Sequence, residues 1–216
     1  MTAATGKTVI FDLGGVLLHW QPAQILQQVV PELAPDLAAA RVLSARLFQS
    51  FVPGSPWGDF DLGRVDEPTL ALRLAAVLAD DYAATPAQMR RVIDAVPPHL
   101  AALPDSVALL LRVKARGHRL FYLSNMPAPY AAQLQAAHPF LAEFEDGIYS
   151  AHVGLIKPAP GIFALASARF ELVAAQTIFI DDHAGNVTAA RRHGWQALHF
   201  QSAAQAAAEL AAGGWL

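Results

Sequence analysis

Three observations predict a doubly wound parallel α/β sheet opened after its first strand by a helical insertion. Short apolar runs of strand type recur in the second half of the chain, at 119–123, 147–150, 177–180 and 196–200, each separated from the next by a helical stretch or short connections. A further run, Thr8 to Phe11, stands alone near the start. Between them, from about Leu18 to Val96, the apolar periodicity is helical and no strand pattern occurs. The expected division is an α/β core over 1–17 and 98–216, with a helical cap over 18–97.

In chain order, Thr8, Val9, Ile10 and Phe11 read as a short buried strand that delivers Asp12 to its C-terminal end, where Gly14 and Gly15 turn the backbone. A helix is expected over 24–30, stopped by Pro31, and another over 37–51 with Leu37, Val42, Leu43, Leu47 and Phe51 on one face. Residues Pro53, Gly54, Ser55 and Pro56 signal a loop. Asp66 then caps a helix with Pro68 in its first turn and a stripe of Leu70, Leu74, Val77 and Leu78. A last insertion helix over 86–96 is expected to end before Pro97 and Pro98.

The second half alternates. Pro104 opens a helix with Val107, Leu110 and Leu111 inward and Gly117 at its end. Helices follow each later strand, over 130–137, 160–170 and up to His193, where Gly194 stops the last; an alanine-rich tail helix closes the chain.

Composition narrows the function. With 54% hydrophobic and 15% charged residues the chain can bury a large core. A net charge of −3 without runs of like charge points to neither nucleic acid nor an anionic membrane. The absence of cysteine excludes disulfides, Cys-ligated zinc and thiol chemistry. The first residues carry no apolar signal segment, and the longest uncharged stretch, 120–142, is interrupted by Pro127, Pro129 and Pro139, so a soluble, cytoplasmic protein is expected. The eight histidines form no i, i+4 metal pair.

Polar residues end three of the strands: Asp12, then Ser124 with Asn125, then Asp181 with Asp182. A parallel sheet brings these ends to one edge, where α/β sheets bind ligands. Lys157, one of three lysines, lies in a loop near that edge, stiffened by Pro158. Clustered carboxylates repel unless a cation or proton lies between them, and hard oxygen ligands suit Mg²⁺. Ser124, Asn125 and Lys157 offer donors for the non-bridging oxygens of a phosphoryl group, which Asp12 is placed to attack in line, giving an aspartyl-phosphate. Helix capping is the alternative role for Asp181 and Asp182.

The ordered set resembles the haloacid dehalogenase superfamily of hydrolases with a helical cap of the C1 type. Phe11-Asp12-Leu13-Gly14-Gly15-Val16 is similar to its first motif and Leu123-Ser124-Asn125 to its second. Lys157-Pro158 is similar to the third, and Ile180-Asp181-Asp182, with Asn186 trailing, to the fourth. The segment Asp61-Leu62-Gly63-Arg64-Val65-Asp66 resembles a turn of related caps. The resemblance implies that Asp12 is the nucleophile and that Asp12, the Gly14 carbonyl and Asp182 hold Mg²⁺, with Asp181 a direct or supporting ligand. It further implies that Ser124, Asn125 and Lys157 bind the phosphoryl group of a small phosphorylated substrate, with Lys157 also offsetting the nucleophile's charge. The cap would close over the substrate and set specificity.

Gly14 departs from the family's usual pattern, which has a second aspartate there as general acid and base; a sugar-phosphatase subset shares the Asp-x-Gly form. The loss removes a proton donor worth ~10²–10⁴-fold where the leaving oxygen needs one. The expected function is therefore an Mg²⁺-dependent phosphatase favouring good leaving groups, a sugar phosphate among the candidates, with His19 or His183 as stand-in acids. Two alternatives stay open: a metal-independent 2-haloacid dehalogenase, and a non-catalytic protein that binds a phosphorylated ligand. Trp20 and Trp57 are read as packing or pocket-lining, Trp195 as packing, and Trp215 as packing on the core or at a dimer contact; oligomeric state is left open.

Overall fold

The structure, a computed structural model, describes residues 7–49, 52 and 54–216. Phe51 and Pro53, which belong to the expected helix over 37–51 and the loop after it, lie outside the described residues, as do residues 1–6.

Five parallel strands form one sheet: β1 (Thr8–Phe11), β2 (Arg119–Ser124), β3 (Asp146–Tyr149), β4 (Thr177–Asp181) and β5 (Gln196–His199), in the order β3-β2-β1-β4-β5. Thr8 pairs with Arg119 on one side and Thr177 on the other, so β1 is central and the strand order reverses there. Buried on both faces, β1 is continuously apolar rather than alternating. Its side chains still divide by the pleat: Val9 and Phe11 join one apolar cluster, Ile10 the other.

The chain leaves the sheet after β1 and, among the described residues, builds six helices before returning: α1 (Pro22–Val29), α2 (Leu37–Leu47), α3 (Pro56–Asp61), α4 (Glu67–Val77), α5 (Ala79–Tyr82) and α6 (Pro86–His99). The two passages between sheet and insertion run side by side, with His19 N–H donating to Ala101 O and Leu103 N–H to Leu17 O, both at 2.8 Å. The insertion core, including Leu26, Leu43, Leu74 and Val92, is continuous with the cluster on one face of the sheet. The second half supplies α7 (Pro104–Ala115), α8 (Ala128–Ala137), α9 (Ser150–Val153), α10 (Pro160–Arg169), α11 (Ala184–Arg192) and α12 (Ala203–Ala212). Trp215, just past α12, is buried on the core with the Lys7 ammonium 4.5 Å from its ring centre. No helix among the described residues is long and apolar enough to cross a membrane.

Four helices differ from expectation. α2 buries Ala40, Leu43 and Leu47, while Val42 is 58% exposed and Leu37 also faces outward. Alanines fit either side of a helix, so the larger side chains misplace the buried stripe. Likewise α7 buries Ser106, Leu109, Leu110 and Val113 and leaves Leu111 exposed, and in α4 Val77 is exposed while Leu70 and Leu74 are buried. The fourth is α6, which runs through Pro97 and Pro98 instead of ending before them. Pro97 cannot donate to Ile93 O, and the Tyr130 hydroxyl takes that place at 2.8 Å. A proline in the last turn then costs no unsatisfied carbonyl at that position.

Candidate active site

The site begins at the end of β1. Asp12 N–H donates to Ile180 O at 2.8 Å, continuing the ladder with β4 one residue beyond the strand. The Asp12 carboxylate, 8% exposed, accepts through Oδ1 from Leu13 N–H at 2.7 Å and pairs with Lys157 Nζ at 2.9 Å; Oδ2 accepts no hydrogen bond from the described residues. Lys157 is 1% exposed and reaches Asp181 Oδ2 at 2.7 Å as well. One buried ammonium thus joins the ends of β1 and β4, the arrangement a buried cation requires.

Each partner is held in turn. Asn125 Oδ1 accepts from Lys157 N–H at 2.8 Å and Asn125 Nδ2 donates to Lys157 O at 3.0 Å, so this side chain is spent on fixing the lysine backbone. Asp181, fully buried, also accepts from His183 N–H at 2.8 Å and from Asn186 Nδ2 at 3.0 Å. These donors occupy most of its lone pairs. The Ser124 hydroxyl, at the end of β2, has no hydrogen-bond partner among the described residues and lines the cavity.

Asp182 is exposed and lies against the first turn. Gly15 has φ +75°, and a Cβ there would sit 2.1 Å from Asp182 Oδ2, so glycine is required for this approach. A Cβ on Gly14, by contrast, would meet only Trp20 Cβ at 3.9 Å. Asp12, Asp181 and Asp182 bring carboxylate oxygens within 4.8 Å of one another. The buried Asn186 Oδ1 beside them has no hydrogen-bond partner among the described residues. An all-oxygen, acceptor-rich set of this kind fits a hard divalent cation.

Burial pushes the Asp12 carboxyl up to about 7; the Lys157 ammonium opposes the shift and the charges of Asp181 and Asp182 add to it. Burial and the Asp181 charge raise Asp182 to about 6, a shift that solvent access at the exposed carboxylate weakens. Burial alone would lower Lys157, but Asp12 and Asp181 hold it above its ordinary value. Burial lowers His183.

Above this floor the insertion closes a cavity of about 180 Å³, several times the ~30 Å³ share of one water, so it accommodates an organic group. Its upper wall is a chain of rings: Trp20 meets Phe48 at 5.2 Å between centres, Phe48 meets Trp57 at 4.4 Å, and Trp57 lies 6.5 Å from Tyr130. Val96, Leu100 and Met126 complete the apolar lining. All the residues expected at the site line this cavity except Asp181, which lies beneath it. His183 lines it, but His19 is not among the lining residues. Sequence reasoning missed Asp61 and Tyr130 as lining residues. The one local signal was the resemblance of the segment starting at Asp61 to a turn of related caps; nothing local marks Tyr130, which helix packing brings there.

The haloacid dehalogenase-like hydrolase family model matches residues 7–194. Over 207 residues the chain is 27% identical to the sesquiterpene phosphatase astK of Aspergillus oryzae, covering 95% of each protein. It is 24% identical over 198 residues to the drimenol cyclase drtB of Aspergillus calidoustus, spanning 90% of this chain but 34% of that protein. Among solved structures, an L-2-haloacid dehalogenase of Xanthobacter autotrophicus superposes with a TM-score of 0.68 at 20% identity, covering 97% of this chain and 84% of that one. A Bacteroides thetaiotaomicron enzyme in complex with magnesium and inorganic phosphate gives 0.66 at 17% identity, covering 91% of this chain and 94% of that one. At these identities the two structures speak for the fold.

Proposed function

The chain belongs to the haloacid dehalogenase-like hydrolase family, and from that premise we propose that it is an Mg²⁺-dependent phosphatase acting on the phosphate monoester of a small, largely apolar molecule. The observation that carries the reaction is the Lys157 ammonium held between Asp12 and Asp181, beside the unpartnered hydroxyl of Ser124. Asp12, with one oxygen tied down by Leu13 N–H and Lys157 and the other without a hydrogen bond, is oriented to attack phosphorus. Ser124 and Lys157 bind the non-bridging oxygens, and Asn125 keeps Lys157 in place.

Asp12, the Gly14 carbonyl and Asp182 would hold Mg²⁺, which supplies charge neutralisation at the phosphoryl oxygens when bound. Asp181, its oxygens taken by Lys157, His183 N–H and Asn186, supports this set from below rather than ligating. Water then releases inorganic phosphate from the aspartyl-phosphate and restores Asp12.

The ring-lined upper wall favours a hydrocarbon group over the sugar phosphate expected from the Asp-x-Gly pattern, because a sugar's hydroxyls would lose water without finding partners there. The Aspergillus oryzae relative, a sesquiterpene phosphatase, points to terpenoid monophosphates as the first class to try. Turnover of a terpenyl monophosphate and of glucose 1-phosphate with and without Mg²⁺, with Asp12→Asn as control, tests the reading. Faster Mg²⁺-dependent release from the terpenyl compound, lost in Asp12→Asn, is expected. Equal activity of that variant removes Asp12 as nucleophile, and preference for glucose 1-phosphate restores the sugar reading.

A further inference from the structure

We propose that Asp61, on the insertion, is the general acid and base of this enzyme, taking the place that the side-chain-less Gly14 leaves open. The proposal rests on the phosphatase reading above.

In-line displacement puts the attacking and leaving oxygens on opposite sides of phosphorus. Asp12 attacks from the sheet edge, so the ester oxygen departs toward the insertion wall, on the side of the organic group. The titratable side chains lining the cavity are Asp12, Asp61, Tyr130, Lys157, Asp182 and His183 among the described residues. Asp12, Lys157, Asp182 and His183 all belong to the floor, His183 following directly on Asp182. Tyr130 gives its hydroxyl proton to Ile93 O at 2.8 Å. Asp61 is the remaining group, and it comes from the wall: it ends α3, the helix that carries Trp57 and Phe60, and is 2% exposed.

Its backbone is anchored to the core. Ser150 Oγ donates to Asp61 O at 2.5 Å and accepts from Met126 N–H at 2.8 Å, tying the end of α3 to the segment just after Ser124 and Asn125. Two residues on, Gly63 at φ +71° packs so closely on α9 that a Cβ would lie 2.7 Å from Ala151 O. The backbone of Asp61 is therefore held in place where the residue lines the cavity, a fixed origin of the kind a proton donor needs.

In the first half-reaction Asp12 forms its bond to phosphorus while the phosphorus–ester oxygen bond breaks. That oxygen keeps the electron pair and takes the Asp61 proton, leaving as the alcohol. In the second, the Asp61 carboxylate accepts a proton from the water that attacks phosphorus, and the bond to Asp12 breaks, giving inorganic phosphate and free Asp12.

The experiment compares hexyl phosphate, whose alkoxide needs a proton to leave, with p-nitrophenyl phosphate, whose phenolate does not, in wild type, Asp61→Asn, and Asp61→Asn combined with Gly14→Asp. In single-turnover formation of the phosphoenzyme, the half-reaction in which the two leaving groups differ, Asp61→Asn is expected to lose ~10²–10⁴-fold on hexyl phosphate and little on p-nitrophenyl phosphate. Gly14→Asp, which the space at that Cβ permits, is expected to recover part of the lost rate on hexyl phosphate selectively. Equal losses on both substrates, or none on either, overturn the role of Asp61. A wild-type protein that cleaves neither substrate overturns the phosphatase reading itself.

Discussion

The floor and the wall of one cavity follow opposite rules. The floor is charged and rigid: Lys157, Asp12 and Asp181 are all at or below 8% exposed, and each is locked by backbone or amide groups. The wall is aromatic and helical, made of Trp20, Phe48, Trp57 and Tyr130 from separate segments. Charge at the floor is tolerated only because every group has a partner, so little can change there without loss. Rings at the wall contribute contact without strict geometry, so they can vary with the substrate. On the proposed reading, attack on phosphorus belongs to the floor, while substrate selection and the Asp61 proton belong to the wall.

The contrast is most severely tested at Lys157. Lys157→Met leaves two buried carboxylates facing each other and should cost about 3–5 kcal/mol of stability, along with activity, as read by urea denaturation. A loss below 1 kcal/mol would show that the floor is less dependent on its pairing than the geometry indicates. Next in size, Trp20→Ala, at a half-buried ring of the wall, should raise KM for a terpenyl monophosphate about 10- to 100-fold while leaving inhibition by inorganic phosphate unchanged. A parallel loss of phosphate affinity would erase the division between the two surfaces.

The pH response of the metal-free protein probes the floor alone. Asp12 is raised to about 7 and Asp182 to about 6, against ~3.9 for an unfolded aspartate. Between those values the folded chain binds more protons than the unfolded one, so stability without metal falls as pH rises from 4 through 7. Protons and a cation compete for the same carboxylates, so Mg²⁺ should bind more tightly across that range and offset the fall. Thermal midpoints with chelator and with Mg²⁺ from pH 5 to 8 measure both. A chelated protein that gains stability toward pH 8 contradicts the raised carboxyls. The smallest effect is expected at the seam between wall and core: Tyr130→Phe strips Ile93 O of the donor that stands in for Pro97, at about 1–3 kcal/mol by denaturation.

The floor was legible because its residues sit at strand ends. Once β1, β2 and β4 were recognised, parallel topology alone gathered Asp12, Ser124 and Asp181. The resemblance implied that Lys157 offsets the charge of Asp12; its second bond, to Asp181, emerged only from the structure. So did the service of Asn125 to the lysine backbone, since an amide beside a phosphate site is equally suited to either task. Helix faces were harder. In α2 the alanines hid the buried stripe, and at Pro97 a tyrosine from another helix removed the reason for stopping.

By itself, the sequence determined the fold class, the order of its parts and which strand-end residues match the family's motifs, because strand periodicity and strand-end residues are local properties that topology gathers at one edge. Only the tertiary structure decided which insertion residues overlook that site. Trp20, Phe48 and Asp61 lie on different segments, and a ring or a carboxyl in an apolar helix serves core, surface or wall alike until packing chooses.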